Sequence, residues 1–178
     1  MKFTILLTLC ASLCASQAAS LVYDVLTHSV AGGTISGSNA DWDGSSSVTY
    51  TLTDSDVSFD VTFTVGGTAT SFQNTTQIGA NGGTTSGFDV GETASYTFSN
   101  VSSLNSAFNV TNLDLTGVTR NSAPSLSVIL SGGQLTSTFG GARFDELTFG
   151  YDLAPVPEPS SAALLGLGGL ALISRRKR

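Results

Sequence analysis

Carboxylates recur in closely spaced pairs along this chain. Asp41 and Asp43 flank Trp42 in "NADWDG", Asp54 and Asp56 flank Ser55, and Asp145 precedes Glu146. Such oxygens are hard ligands, and Ca²⁺ takes roughly six to eight of them, gathered from several loops. Asp41, Asp43 and the carbonyls around them would fill part of a Ca²⁺ shell, although EF-hand spacing is absent. Two carboxylates also run glycoside hydrolysis, one as acid and the other as nucleophile or base, if space separates them correctly. The plainer reading is of solvated turn residues. Trp42 is the single tryptophan. Between two acids in a glycine-containing loop it would stack on a sugar face while the acids accept hydroxyl protons; a core position is the competing reading. His28 is the only histidine and has no serine elbow beside it, so it reads as a strand or loop residue. Asn74-Thr75-Thr76, Asn100-Val101-Ser102 and Asn109-Val110-Thr111 match the glycosylation sequon, which a Ser/Thr-rich chain produces by chance.

The elements that must position these residues lie between two unusual ends. At the N-terminus, Lys2 supplies a positive charge, Phe3 to Leu13 an apolar run, and Ala15-Ser16-Gln17-Ala18-Ala19-Ser20 a crowd of small residues. That is the pattern of a secretory signal peptide over residues 1–19, with cleavage after Ala18 the best single bond. Cys10 and Cys14 both follow leucine, which argues against lipidation. At the C-terminus, Ser160 to Ser174 carries no charge and precedes Arg175, Arg176, Lys177 and Arg178. As a helix that run spans roughly 22 Å, short of the ~30 Å hydrocarbon core, and reaches the lower limit if extended toward Pro157. The basic residues then stay cytoplasmic as a stop-transfer lock, with the N-terminal side outside. A plain single-span anchor fits the same features.

Residues 20–154 remain as one domain with enough chain for a core. Of the 13 acidic residues only Glu158 lies outside this segment, and of the seven Lys and Arg only Arg120 and Arg143 lie inside it, a net charge of about −10. A basic patch for nucleic acid or an anionic membrane is excluded. The segment holds no cysteine and no lysine, which removes disulfides, cysteine nucleophiles and Schiff-base lysines.

Strict alternation dominates it. "VSFDVTFTV" puts Val57, Phe59, Val61, Phe63 and Val65 on one face and Ser58, Asp60, Thr62 and Thr64 on the other. Leu21–Leu26, Ser47–Asp54, Ala94–Val101, Ala107–Val118, Ser125–Ser131, Gln134–Phe139 and Arg143–Tyr151 read as further strands. Phe144 and Leu147 fall out of phase, which predicts a bulge or burial on both sides. Glycine pairs separate the strands, and Gly66-Gly67 predicts a hairpin. Residues 73–92 read as a long loop. The pattern predicts an all-β fold, a β-sandwich with jelly-roll-like order.

Val156-Pro157-Glu158-Pro159, the short Gly/Leu-rich run and the basic cluster together resemble the PEP-CTERM sorting signal of bacterial exosortase substrates. The resemblance covers 155–178. It implies that an exosortase, a membrane enzyme, recognises the tail and cuts near the Pro-Glu-Pro, after secretion machinery and signal peptidase have handled the N-terminus. It implies transient inner-membrane anchoring, then the surface or extracellular matrix of a Gram-negative-type bacterium, with exopolysaccharide or biofilm as partner and no nucleic acid. Prolines at 157 and 159 keep the motif extended and open to a protease. "IGANGGTTSGFDVGETASYTF" and "RFDELTFG" are similar to β-sandwich ectodomains that precede such tails, and "FDELTF" to the last strand of jelly-roll carbohydrate-binding modules. In those modules a final-strand acid ligates structural Ca²⁺, which makes Asp145 the metal candidate by resemblance. The expectation is a non-enzymatic exported protein without a catalytic cofactor; a Ca-dependent lectin-like module and, more remotely, a secreted glycan hydrolase are the alternatives.

Overall fold

The computed structural model describes residues 16–74, 77–83, 87–120, 123–124, 128–131, 133–138 and 140–156. The expected signal-peptide run before Ser16 and the expected membrane helix lie outside them. Among the described residues no helix is long and apolar enough to cross a membrane.

The described chain is nearly all strand, and every registered strand pair is antiparallel. In order the strands are β1 (Gln17–Asp24), β2 (Ser29–Val30), β3 (Thr34–Ile35), β4 (Ser47–Thr53), β5 (Val57–Gly67), β6 (Ser71–Asn74), β7 (Ile78–Asn81), β8 (Glu92–Ser103), β9 (Phe108–Arg120), β10 (Ala123–Pro124), β11 (Val128–Ser131), β12 (Gln134–Ser137) and β13 (Glu146–Pro155). A 3-10 turn, Asn39–Trp42, precedes β4. A five-stranded sheet runs β10-β9-β13-β1-β2, a six-stranded sheet β11-β12-β8-β5-β4-β3, and β6-β7 form a separate hairpin.

Alternation explains the core. Val57, Phe59, Val61 and Phe63 of β5 are buried, as are Val48, Tyr50 and Leu52 of β4 and Leu147, Phe149, Tyr151 and Leu153 of β13. The two sheets turn these faces toward each other. The Phe149 ring lies 5.4 Å from Phe59 and 6.0 Å from Phe98, and Tyr23 lies 5.9 Å from Tyr50. Each large side chain so buried contributes about 1.5–3 kcal/mol. The outward face of the six-stranded sheet is a hydroxyl surface in register: Thr49 pairs Thr62 and Thr62 pairs Thr97, while Ser47 pairs Thr64 and Thr64 pairs Ser95.

Three register shifts interrupt the ladders, and two of them, opposite Ser58/Asp60 and opposite Gly150/Asp152, are built alike. Each sits beside an asparagine in the left-handed region, Asn100 (φ 52) and Asn112 (φ 53). Each asparagine amide donates to an aspartate across the bulge, Asn100 to Asp60 at 2.6 Å and Asn112 to Asp152 at 2.7 Å. Asparagine tolerates this backbone better than other residues with a side chain, and its short amide reaches back across the strand.

Three expectations need correction. Gly66-Gly67 does not turn a hairpin; β5 continues through it, and Gly67 pairs with Glu92 of β8. Residues 73–92 are not one loop, because Phe72 and Ile78 bury their side chains and anchor the β6-β7 hairpin. The first strand runs over Gln17–Asp24 rather than Leu21–Leu26, and it pairs Gln17 with Leu153. The break around Phe144 does occur. Phe144 and Asp145 are both buried, Phe144 bridges Ile78, and β13 resumes only at Glu146.

Candidate functional site

The sorting motif begins where the sheet stops. Pro155 pairs with Phe108, and the Val156 N–H donates to the Ala107 carbonyl at 2.8 Å. Beside it, β1 starts at Gln17, which pairs with Leu153, so β1 begins at the end of the sheet where β13 finishes. Pro155 carries no N–H to donate to a ladder, which suits the last position of a strand. Val156 is 39 % exposed. The other residues singled out in the tail, Pro157, Glu158, Pro159, Arg175, Arg176, Lys177 and Arg178, lie outside the described residues.

The paired acids do local work. Asp41 closes a capping box on the 3-10 turn: the Ser38 N–H donates to Asp41 Oδ2 at 2.9 Å, and the Ser38 hydroxyl accepts from Ala40 N–H at 3.3 Å. Asp43 is the residue that ends that turn, its N–H donating to the Ala40 carbonyl. Asp54 Oδ1 accepts from the N–H groups of Asp56 and Val57 at 2.7 and 2.8 Å, which sets the β4-β5 turn. Its second oxygen accepts from the Tyr151 hydroxyl at 2.7 Å and ties that turn to the opposite sheet. Asp145 is buried and accepts from Gln77 Nε2 at 3.2 Å; Glu146 accepts from the Thr119 hydroxyl at 2.9 Å. Among the described residues no three His, Cys, Asp or Glu side chains gather where a metal would be held, so Asp41, Asp43 and Asp145 are not brought together as one such group.

Trp42 is not a stacking platform. Its side chain is 0 % exposed, wedged among Phe72 at 4.8 Å, Phe63 at 5.2 Å, Tyr50 at 5.8 Å and Phe144 at 6.0 Å between ring centroids. No face of the indole is left for a sugar. The 3-10 turn folds Trp42 under β6 because an apolar ring of this size gains most by burial there. Its Nε1–H makes no hydrogen bond of proper geometry. Burial pushes the neighbouring Tyr23 phenol up to about 12, slightly offset by the nearby indole N–H. His28 adopts φ 49 and holds the turn after β1. Its Nδ1 pairs with the Tyr23 hydroxyl at 3.1 Å and its Nε2 with the Gly37 carbonyl at 3.0 Å. A carbonyl only accepts, so Nε2 carries the proton and Nδ1 accepts from Tyr23. Both ring nitrogens therefore serve the fold.

One acidic pair escaped the sequence reading. Asp89 and Glu92 are 9 % and 0 % exposed in "GFDVGE". Their close spacing among glycines was the available signal, but nothing local announces that a glutamate at a strand's first position is buried.

The chain was compared with known proteins. The family model described as the PEP-CTERM protein-sorting motif matches residues 155–178. No curated protein and no solved structure is matched. The match falls on the segment that starts at the last residue of β13, and it implies an exported protein targeted to exosortase. Residues 155–178 of this chain are a PEP-CTERM protein-sorting motif.

Proposed function

We propose that this chain is a non-enzymatic surface or extracellular-matrix protein of a Gram-negative-type bacterium, delivered by its tail. A signal peptide at the N-terminus starts export. The apolar tail then holds the protein in the inner membrane with Arg175, Arg176, Lys177 and Arg178 in the cytoplasm. Exosortase cuts near Val156-Pro157-Glu158-Pro159 and passes the β-domain outward, to a matrix of exopolysaccharide or biofilm. The domain itself is a β-sandwich of jelly-roll kind, a reading supported by the aromatic contacts between its two large sheets.

The observation that carries this reading is the position of the matched motif. It begins at Pro155, and the sheet's last backbone bond is made by the next residue, Val156. The folded domain therefore hands the chain to the processing motif without an intervening linker. A lectin-like reading keeps less support, because the aromatic platform it needs is in the core. The test is the mass of the C-terminal peptide, taken from surface and medium fractions of the native host. A product ending near Pro157–Pro159 is expected. A product still carrying Arg178 in every fraction would show a plain membrane anchor instead.

A further inference from the structure

We propose, on the reading that the tail anchors the chain in a membrane, that the end of β8 and the turn into β9 form a bilayer-contact edge. Val101, Leu104 and Val156 would rest the domain on the headgroup region of the membrane that the tail enters. Among the described residues the exposed large hydrophobic side chains are Leu26, Val90, Val101, Leu104 and Val156. Scattered singly, such residues need no explanation. Val101, Leu104 and Val156 instead gather at one end, and the sorting motif begins there. The Val156 N–H donates to the Ala107 carbonyl at 2.8 Å and Pro155 pairs with Phe108, so the turn and the exit of the chain are one unit. Leu104 is 53 % exposed, yet its backbone is fixed, because its N–H donates to the Asp56 carbonyl at 2.8 Å. The Asn105 side chain accepts from the Ala107 N–H at 3.0 Å, and the Asn105 carbonyl accepts from the Ser103 hydroxyl at 2.8 Å and the Phe108 N–H at 3.0 Å. A turn braced in this way holds its leucine outward.

Chain length decides what covers this edge. Only Pro157, Glu158 and Pro159 separate Val156 from the uncharged run that starts at Ser160. Even fully extended, the steps from Val156 to Ser160 reach at most ~14 Å. The headgroup layer takes up roughly 5–8 Å of that on its side of the hydrocarbon core. About 6–9 Å is left at most, less than the ~10 Å that a packed protein layer needs. The run itself is short for a span, roughly 22 Å as a helix against ~30 Å, which draws the fold closer still. Tethering also makes the contact intramolecular, so a few apolar side chains suffice without high affinity of their own. Residues 101–108 carry no charge, and the adjacent β4-β5 turn carries Asp54 and Asp56. The contact is therefore apolar and suits zwitterionic headgroups, with no basic cluster to favour anionic ones. Val90 supplies the contrast. It lies just before β8, at the end of the β5-β8 ladder where Gly67 pairs with Glu92, while Val57 pairs with Ser103 at the end beside the turn.

The test uses the full chain reconstituted in phosphatidylcholine vesicles, beside a matched set whose acyl chains are brominated to quench tryptophan at short range. Trp42 is 0 % exposed and gives a constant background. In Leu104→Trp the added emission should be largely lost in the brominated vesicles. In Val90→Trp, at the far end, it should be retained. Both positions are exposed, so neither change disturbs the core, and Val101→Trp repeats the measurement if Leu104→Trp does not fold. Flotation of the wild-type chain with the vesicles is scored separately. A chain that does not float removes the anchored reading and this proposal with it. A chain that floats while the tryptophan at position 104 stays unquenched overturns the proposal alone and leaves the anchor standing. Equal quenching in Leu104→Trp and Val90→Trp also overturns it, because the domain would then have no preferred edge. So does a photo-crosslinker at position 104 that, in the native host, joins a protein and no lipid.

Discussion

Trp42 shows how far a residue's chemistry depends on what covers it. Acids on both sides suggested a sugar platform, yet those acids belong to a turn whose purpose is to bury the ring. The functional consequence is direct. Trp42→Ala should destabilise the domain by about 3–5 kcal/mol, the range for deleting a large buried aromatic side chain. Thermal or urea unfolding measures this, and a loss under about 1 kcal/mol would contradict the packing described. Any ligand-binding defect in that variant must be read against its lost stability. The Asp54 carboxylate makes the same point in polar terms, since both its oxygens are committed to backbone and tyrosine donors.

The strands are held in register by devices that recur. The bulge asparagines Asn100 and Asn112 each combine a left-handed backbone with a side-chain bond to an aspartate on the next strand. Hydrogen bonds from the Thr51 hydroxyl and the Asn100 amide hold the Asp60 carboxyl below its usual range. Replacing Asn100 separates the two contributions. Asn100→Ala must keep φ near 52 with a Cβ and no amide, and should cost about 1–2 kcal/mol. Asn100→Gly relieves the backbone and loses only the bond, so it should cost less. In both variants the Asp60 carboxyl should titrate at higher pH, as followed by NMR. The sign is fixed: a depressed carboxyl stabilises the fold above its unfolded pKa, and that contribution disappears as the pH falls through the folded value. Equal stability losses in the two variants would remove the backbone from the explanation.

At the scale of the whole molecule, the two sheets are joined by apolar rings and by tyrosines that reach across. Tyr96 on β8 donates to Asp114 on β9 at 2.9 Å, and Tyr151 on β13 donates to Asp54 at the β4-β5 turn. Burial, joined by the Asp114 bond, pushes the Tyr96 phenol up to about 12, and burial, with smaller contributions from the Asp24 and Asp41 charges, pushes Tyr23 to a similar value. Tyr50 and Tyr151 are raised further, both chiefly by burial. All four tyrosines of the chain thus hold their protons more tightly when folded than the ordinary phenol near 10. Above pH ~10 the unfolded chain releases protons that the folded chain keeps, so stability falls as the pH rises toward about 12. Melting temperatures across that window should drop, and phenolate absorbance should appear together with unfolding. Phenolate absorbance reaching full amplitude near pH 10 while circular dichroism stays native would refute it. No lysine between residues 20 and 154 titrates in the same range to obscure the result.

Much of this protein was legible from residue order because the relevant signals are local. Alternation over Val57–Val65 gives a half-buried strand by geometry alone, and the tail's three parts are contiguous, so the sorting motif needed no fold to be read. The composition also determined the acidic surface and the absence of disulfides from residues 20–154. What only the tertiary structure decided involves residues far apart in sequence. Gly67 meets Glu92, Gly141 meets Asp89, Gln77 meets Asp145, and Val156 meets Ala107 only once the sheets have closed. A carboxylate's burial, and hence its chemistry, is set by which distant backbone comes to lie over it. That coverage is a property of the closed sheets, and it leaves Glu92 Oε1 buried without a hydrogen-bond partner while Asp41 caps a turn at the surface.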